Sequence, residues 1–523
     1  MDMTSHGSNP AITSAYRTYV LLVLMLVYVF NFLDRQILSI LAEDVKHDLG
    51  IGDASMGFLL GTSFAVFYAV FGIPLGRAAD LIDRTRLIAT GLLLWSLMTS
   101  LSGLANGFVS LASCRMLVGV GEASASPAVY SLLYDYFPRR LRTTAIAIYS
   151  SGIFIGAGLG LIVGGFILAG WKQHFPTPGS APLGLRAWQA AFIVVGLPGV
   201  LLATWVATLR EPARSESDIS AVNPRRSAIR TIAEELLTLL PGTGLVIVAH
   251  RGGAKAALIN IALLTLVCAA GWALIHQLGG ALQWMTLGYG VYAFATWCQK
   301  LFLGDRTSFR AIFGCSTIVF GSLGFTGCFF LTMGALAWLA VFFQRFHHAP
   351  PAEVGLMLGL SYAIFGFLGV TAGGIITDRV VVLHGARGRL IVAMAAVVCA
   401  TLAMAALLLV RDKMTAYALT IPFNVFSAMY VAPGAANVNS FAPPRLRATA
   451  SAAYIVCQVL LGTALGPYVV GVISDHLVST GKPSGIAIRD AMLFSLLASV
   501  PSVTLLSLAS RTAPADEARQ PAN

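Results

Sequence analysis

Charged residues are scarce in this sequence, at 11% of its 523 residues, against about 25% in ordinary soluble domains. Hydrophobic residues make up 57% of the chain. A water-soluble fold of this composition would expose large apolar patches and would aggregate. The composition therefore excludes an ordinary soluble protein and indicates a chain that lies mostly in lipid.

Acidic residues are in the minority, because 34 basic residues stand against 23 acidic ones and give a net charge of +11. In a soluble protein this excess would suggest binding to nucleic acid. Here the basic residues lie mostly in short segments between apolar runs, and this placement sets the orientation of a membrane protein. We therefore expect no nucleic-acid partner.

Cysteine is also rare, and familiar catalytic motifs are missing. The seven cysteines fall within apolar runs, and none has a metal-ligand spacing such as C-x-x-C. We interpret them as small buried hydrophobic residues. The sequence contains no nucleophile elbow, no metalloprotease helix motif and no phosphate-binding loop. We expect neither an enzyme nor a metal or cofactor site.

Long apolar runs dominate what is present. A spanning helix needs about 20 apolar residues, and fourteen such runs fall into groups of six, two and six. We expect an all-α membrane protein with an N-terminal six-helix bundle (1–209) and a C-terminal six-helix bundle and tail (303–523). Between them we expect a cytoplasmic linker (210–253) and an inserted transmembrane hairpin (254–302). The linker is either a helix on the inner leaflet or an unordered connection.

The distribution of basic residues predicts the orientation. They are concentrated in the segments that lie in the cytoplasm if the N-terminus does. We therefore expect both termini in the cytoplasm. Many arginines, few lysines and short loops favour a bacterial inner membrane.

Internal repeats indicate how the halves are related. The pattern of glycines, Phe and Asp over 57–80 recurs without a gap over 355–378. PRRLRTTAIA (138–147) recurs as PPRLRATASA (443–452). Matched blocks in the same order predict two parallel repeats, as in transporters whose halves rock about a central site.

Several segments resemble a known family. GRAADLIDRTR (76–86) and its second copy GIITDR (374–379) are similar to the signature loop of the major facilitator superfamily. The first copy lacks the second glycine and the base after the acid that this loop usually has. NFLDRQIL (31–38), RMLVGVGEASASPAVYSLLYDYFP (115–138) and GSLGFTG (321–327) resemble the first, fourth and seventh helices of the spinster family.

The resemblance implies a transporter of the major facilitator fold that moves lysolipids and sphingoid lipids, including phosphorylated ones, by alternating access. The movement would be proton-linked or driven by another gradient. Its partners would be a small amphiphilic lipid, protons and the surrounding membrane lipids, and we expect a monomer. It also implies that Asp80 and Asp378 are latches at the inner gate that meet helix starts of the opposite half, where negative charge is favoured. The alternative is ordinary solvation of two loops. The full set of expected gating residues is Asp80, Arg84, Arg142, Asp378, Arg379 and Arg447.

Four charged residues interrupt the apolar runs of the N-terminal half. Asp34 and Arg35 lie on the first predicted helix, and Arg115 and Glu122 lie on the fourth. Charges inside a membrane helix are costly and usually functional. The spacing of seven places Arg115 and Glu122 on one helix face, about 10 Å apart along the axis. The alternative is that these groups form ion pairs that merely join helices.

These residue types suggest separate roles. A carboxyl group in an apolar setting takes up protons readily, so Glu122 and Asp34 are the candidate proton carriers. Arg115 either keeps Glu122 ionised or binds an anionic head group. Arg35, displaced by about 100° around the helix from Asp34, pairs with one of the acids or points aside.

The C-terminal half has no charge in the corresponding helices but carries aromatic and amide side chains. A charged half opposite an apolar half suits a substrate with a polar head and a long tail. We expect the arginines to bind the head, and the remaining candidate substrate-binding residues are Phe325, Phe329, Tyr362, Asn424, Tyr430, Asn437 and Gln458.

Two other functions remain open at this stage. One is a proton-driven exporter of hydrophobic drugs, because the glycine-rich fifth predicted helix is similar to the antiporter pattern, although it lacks the proline. The other is a membrane lipid receptor, which the lack of an appended soluble domain disfavours.

Overall fold

The computed structural model describes residues 13–177, 180–212, 224–443 and 446–518. Residues 213–223, which belong to the predicted linker, and both ends of the chain lie outside the described residues. Within the described ranges almost every segment is helical, and all peptide bonds are trans. This agrees with the predicted all-α fold class.

The N-terminal half contains the six expected helices. Thr13 caps the first helix by accepting a hydrogen bond from the Tyr16 amide, and Gly50 ends it with φ = 61°. In the order of the chain the helices are α1 (Ser14–Leu49), α2 (Asp53–Leu81), α3 (Arg84–Ser102), α4 (Phe108–Tyr136), α5 (Thr144–His174) and α6 (Ala187–Ala207).

The segment between the halves is more helical than a linker. It forms α7 (Pro224–Leu239), α8 (Pro241–Leu278) and α9 (Ala281–Gly304). α8 bends at Gly253, where φ is +68°. The part of α8 beyond this bend corresponds to the predicted apolar run at 254–277. A tight turn with positive φ at both of its glycines joins α8 to α9, so the two form a helical hairpin. That both of its helices cross the membrane stays a prediction.

The C-terminal half repeats the six-helix plan after the short helix α10 (Arg306–Phe313). Its long helices are α11 (Ser316–Phe346), α12 (Pro351–His384), α13 (Arg387–Leu409), α14 (Lys413–Phe441), α15 (Thr449–Ser479) and α16 (Ser484–Ala518).

Fewer helices qualify as membrane spans, by length and composition, than the fourteen that the apolar runs predict. Within the described ranges, 12 helices are long and apolar enough to cross a membrane. α3 and α9 are not among them, because α3 begins with two arginines and α9 is rich in Gly, Tyr, Thr and Gln. The predicted count of about fourteen is therefore not confirmed.

The two halves meet along two seams, one between α2 and α15 and one between α5 and α12. Both seams rely on close backbone approach. A Cβ atom added to Gly57 would lie 2.5 Å from the Pro467 carbonyl oxygen, and one added to Gly158 would lie 2.5 Å from the Gly359 carbonyl oxygen. α12 packs against α5 mainly over 351–366. The halves are thus pressed together at the end of the bundle away from the chain termini, which we call the far end.

Candidate functional site

The four charged residues of the N-terminal half come together between α1 and α4. Asp34, Arg115 and Glu122 are at most 1% exposed, whereas the Arg35 side chain is 23% exposed. Of the four, Arg35 therefore offers the most surface to a molecule inside the transporter.

Glu122 is paired with Arg35. The Arg35 Nε donates to Glu122 Oε2 over 2.5 Å. The guanidinium carbon of Arg35 lies 4.4 Å from the ring centre of Phe64 and 4.8 Å from those of Phe32 and Tyr68. This aromatic cage stabilises the cation and turns it toward α4. The sequence did not determine which acid pairs with Arg35. The position of these three rings explains why the partner is Glu122.

Arg115 occupies a different place from the one considered for it beside Glu122. Its Nη1 donates to the main-chain carbonyl of Asp34 over 3.3 Å. Seven residues of helix separate Arg115 from Glu122 by about 10 Å along the axis, so a shared face does not give direct contact. Arg115 therefore links α4 to the backbone of α1.

The buried acids keep spare hydrogen-bonding capacity. Thr99 donates to Asp34 Oδ2 over 3.2 Å. Asp34 Oδ1, Glu122 Oε1 and Arg115 Nε have no hydrogen-bond partner among the described residues. An unpaired buried carboxylate oxygen is costly unless it is neutralised or bound. The cluster can therefore hold a proton, or take part in binding a further polar group.

A small, mostly apolar cavity lies within the C-terminal bundle. Side chains from α11, α13, α14 and α16 line it. Most are apolar, and the polar ones include hydroxyl groups from Thr332, Thr401, Ser427 and Tyr430.

A second small cavity lies between the halves. Leu161 of α5 lines one side, and Leu336, Tyr362 and Asn424 are among the residues on the other. It shares Thr332, Phe423 and Ser427 with the first cavity. The two spaces therefore adjoin, and together they extend from the interface of the halves into the C-terminal bundle.

The structure divides the predicted substrate-binding residues of the C-terminal half. Tyr362, Asn424 and Tyr430 line the cavities. The other four line neither cavity. Phe325 packs against the Tyr454 ring, Phe329 packs against Gly462, Asn437 packs against Gly321, and Gln458 donates to the Tyr454 hydroxyl.

The predicted gating arginines of the N-terminal half make contacts within that half. Arg84 is buried and forms ion pairs with Asp135 at 2.5 Å and Glu211 at 2.6 Å. Arg142 donates to the Phe137 carbonyl over 3.1 Å. These contacts brace the N-terminal helices at the end of the bundle that carries the chain termini.

The other gating candidates are exposed. Arg447 donates to the Asn439 carbonyl over 3.0 Å, which is also a contact within one half. Asp80, Asp378 and Arg379 are exposed. That Asp80 and Asp378 latch onto the opposite half stays a prediction about another conformation.

The sequence analysis missed an ionic cluster at the far end. Arg345, at the end of α11, donates to both oxygens of Asp53 over 2.7 and 2.8 Å and to Glu43 over 2.5 Å. Asp53 is 1% exposed and also accepts from Lys46 at 2.5 Å and Ser474 at 2.6 Å. These bonds, which we call the far-end cluster, tie the two halves together.

A second contact lies beside this cluster. The carboxylate of Asp475, on α15, accepts hydrogen bonds of 2.8 Å from the amides of Asp53 and Ala54 at the start of α2. The acids and bases of this region lie near helix ends, where solvent-exposed charge is ordinary. Their role in closing the far end follows only from the contacts that they make between the two halves.

Two similar bundles, with buried charges in one and an apolar cavity in the other, define a membrane carrier whose halves move relative to each other. Residues 24–467 match the sequence model of the Major Facilitator Superfamily. The chain belongs to this superfamily.

Individual proteins similar to this chain include a spinster protein and an efflux pump. The chain is 27% identical over 502 residues to human protein spinster homolog 1, covering 91% of this chain and 77% of the human protein. It is 26% identical over 455 residues to an MFS-type efflux pump of Mycolicibacterium smegmatis, covering 87% and 84% of the two chains. The predicted resemblance to the spinster proteins is confirmed, and the chain is an integral membrane transporter of this type rather than an enzyme.

A solved structure shares the fold. A bacterial homologue of the human lysosomal transporter spinster, in an inward-facing conformation, matches with a TM-score of 0.71 and 23% identity over 96% of this chain and 99% of that one.

Proposed function

We propose that this protein is a secondary active transporter that moves amphiphilic lipids, of the lysophospholipid or sphingosine-phosphate-like class, by proton-coupled alternating access. The observation that carries the proposal is the asymmetry of the two halves. A buried charged cluster lies in the N-terminal half, and two adjoining, mostly apolar cavities lie at the interface and in the C-terminal half. A polar head and an apolar tail match these two environments.

Arg35 and Arg115 are the proposed head-group residues. Arginine presents a planar fork that binds phosphate in two-point contacts. Arg35 is the more accessible of the two, and its bond to Glu122 has to be exchanged for a bond to the substrate. Arg115 is bonded to the Asp34 carbonyl, and its Nε has no hydrogen-bond partner among the described residues.

Glu122 is the proposed proton carrier, with Asp34 as the second candidate. When Glu122 is ionised it holds Arg35, and when it is protonated it releases the guanidinium for an anionic head group. A proton or ligand shifts two conformations only by its different affinity for each, and this exchange supplies such a difference.

The coupling is tested by flux of a labelled lysolipid in proteoliposomes with and without a pH gradient. Glu122→Gln, which imitates the protonated acid, should retain binding and exchange but lose transport driven by the gradient. Asp34→Asn should do the same only if Asp34 shares the proton. Glu353→Gln is the control, because Glu353 pairs with Lys413 near the start of α12, away from the cluster. Full pH dependence in Glu122→Gln would exclude Glu122 as the carrier.

The head-group role has its own test. Arg35→Lys keeps the charge but removes the planar fork, and should weaken binding of a phosphorylated lipid at least tenfold more than binding of an uncharged analogue. Arg115→Lys should give the same selective loss if Arg115 also contacts the head. Equal losses for both ligands would indicate a purely structural arginine.

Export of hydrophobic drugs is the second candidate function. The similarity to an efflux pump over most of both chains favours it. A drug exporter needs the C-terminal cavity but not a selective head-group site. Proton-driven transport of uncharged hydrophobic dyes, with no effect of Arg35→Lys, would favour this alternative.

A further inference from the structure

The inserted hairpin lies over one of the two seams between the halves. Gly290, in the middle of α9, faces α2 and α15 at once, because a Cβ atom added there would lie 2.9 Å from Val66 and 2.8 Å from Leu460. Val66 is fully buried and Leu460 is 3% exposed. α9 therefore covers the line along which α2 and α15 meet.

The hairpin is attached mainly to the N-terminal half. α9 contacts α2 over a longer stretch than it contacts α15, and α7 packs along α2 as well. The Tyr289 and Phe67 rings lie 6.2 Å apart. Leu287 and Ala293 are buried in an apolar core formed mostly by helices of the N-terminal half, with a smaller part from α15.

A buried polar network joins the inserted helices into one unit. Asn260 of α8 accepts from the Tyr292 hydroxyl over 2.6 Å and donates to Thr296 and Gln299 of α9 over 3.1 and 2.9 Å. Lys300 of α9 forms an ion pair of 2.9 Å with Glu235 of α7. These bonds are strong in an apolar setting because no water competes for the groups. The three helices thus move together.

The contact with the C-terminal half is shorter. α15 meets α9 through apolar side chains such as Leu460 and through the edge of a ring, with Trp284 and Tyr468 centres 5.5 Å apart. A short, mainly apolar contact of this kind can slide more easily than a long one. The hairpin thus packs over a longer stretch on the N-terminal side of the seam than on α15.

We propose that the hairpin is a lateral seal that travels with the N-terminal half while α15 slides beneath it. Its function is to keep the α2–α15 seam closed to lipid while the halves change their relative orientation. The seal depends on the motion of the halves and not on the identity of the cargo.

Two disulfides placed at neighbouring positions of α9 test the proposal in a variant without the native cysteines. Gly290→Cys with Leu460→Cys links the hairpin to the C-terminal half. Tyr289→Cys with Phe67→Cys is the matched control and links the hairpin to the N-terminal half. The readout is hydrogen exchange of the Asp53 and Ala54 amides, which are bonded to Asp475 only while the far end is closed.

The first disulfide should fasten the two halves to each other. Exchange of these amides should slow at least tenfold and recover on reduction. The control disulfide should leave exchange within about twofold of the reduced protein. If the control also slows exchange, or slows it alone, the hairpin does not travel with the N-terminal half. If neither disulfide slows exchange, α9 does not bridge two moving surfaces, and the proposal fails. Because no cargo is needed, failure of lipid transport would not affect this result.

Discussion

Replacing Arg345 by Gln should weaken closure of the far end. The Arg345 side chain is 6% exposed and serves two acids of the opposite half. Removing one partner of a buried ion pair costs about 3–5 kcal/mol. Lys46 and Ser474 still serve Asp53, so the lower value, about 3 kcal/mol, is appropriate. When the halves part, the same groups become hydrated, and exposed ion pairs contribute at most about 1 kcal/mol.

The loss therefore falls mostly on the closed far end. About 3 kcal/mol corresponds to roughly a hundredfold shift toward the state with the far end open. Spin labels on cysteines that replace His47 and Thr480, which are exposed near the far end of opposite halves, report the separation by pulsed electron resonance. The longer distance should gain population strongly in Arg345→Gln.

A matched arginine provides the control for this experiment. Arg489 pairs with the adjacent Asp490 within α16, so its contact does not cross between the halves. Arg489→Gln should leave the distance distribution unchanged. If Arg345→Gln resembles this control, the far-end cluster does not hold the closed state, and the reasoning is refuted.

Three further predictions concern packing, the hairpin and its orientation. Gly355→Leu should prevent closure and reduce transport at least tenfold in a flux assay, because its Cβ would lie 2.3 Å from the Leu161 carbonyl oxygen. Gly374 has open space around it, so Gly374→Leu should be nearly neutral in the same assay. Asn260→Leu should remove the hairpin network and cost about 1–2 kcal/mol, measured as a lower thermal midpoint in detergent. Gln277→Cys should react with an impermeant thiol reagent outside whole cells, and labelling only after the membrane is opened would contradict the predicted orientation.

The apolar pattern predicts the membrane helices well because it operates over about 20 residues and tolerates local error. The predicted run at 281–302 corresponds to α9, and the run at 254–277 corresponds to the part of α8 beyond Gly253. The isolated charges were also located correctly, because a charge within an apolar run stands out in any register. Asp34, Arg115 and Glu122 are all buried.

Side-chain partners were harder to predict. The pairing of Glu122 with Arg35 depends on an aromatic cage formed by two helices, which no spacing within one helix reveals. In the C-terminal half, π-helical turns at Tyr362–Gly366 and Gln458–Thr463 shift the helix face that follows them. Composition identified aromatic residues there but not their direction, so Tyr362 lines a cavity while Gln458 does not.

The far-end cluster escaped prediction for a different reason. Arg345 and Asp53 are separated by 292 positions in the chain, and each stands where a charged helix end is ordinary. A contact between distant chain positions leaves no periodic trace in one sequence. The repeats predicted that the halves would face each other, but not which side chains would join them.

The glycine contacts between the halves affect how fast this transporter can cycle. Burying a long side chain costs up to about 2 kcal/mol of rotamer entropy, and burying glycine costs none. At Gly57, Gly158 and Gly165 the meeting surface is backbone, so each closure has few side-chain rotamers to order. Such a surface can separate and form again without a slow search for the correct side-chain rotamers. The few long side chains of the far-end cluster then slow reopening. Changes in that cluster should alter the turnover rate before they alter the affinity for the cargo.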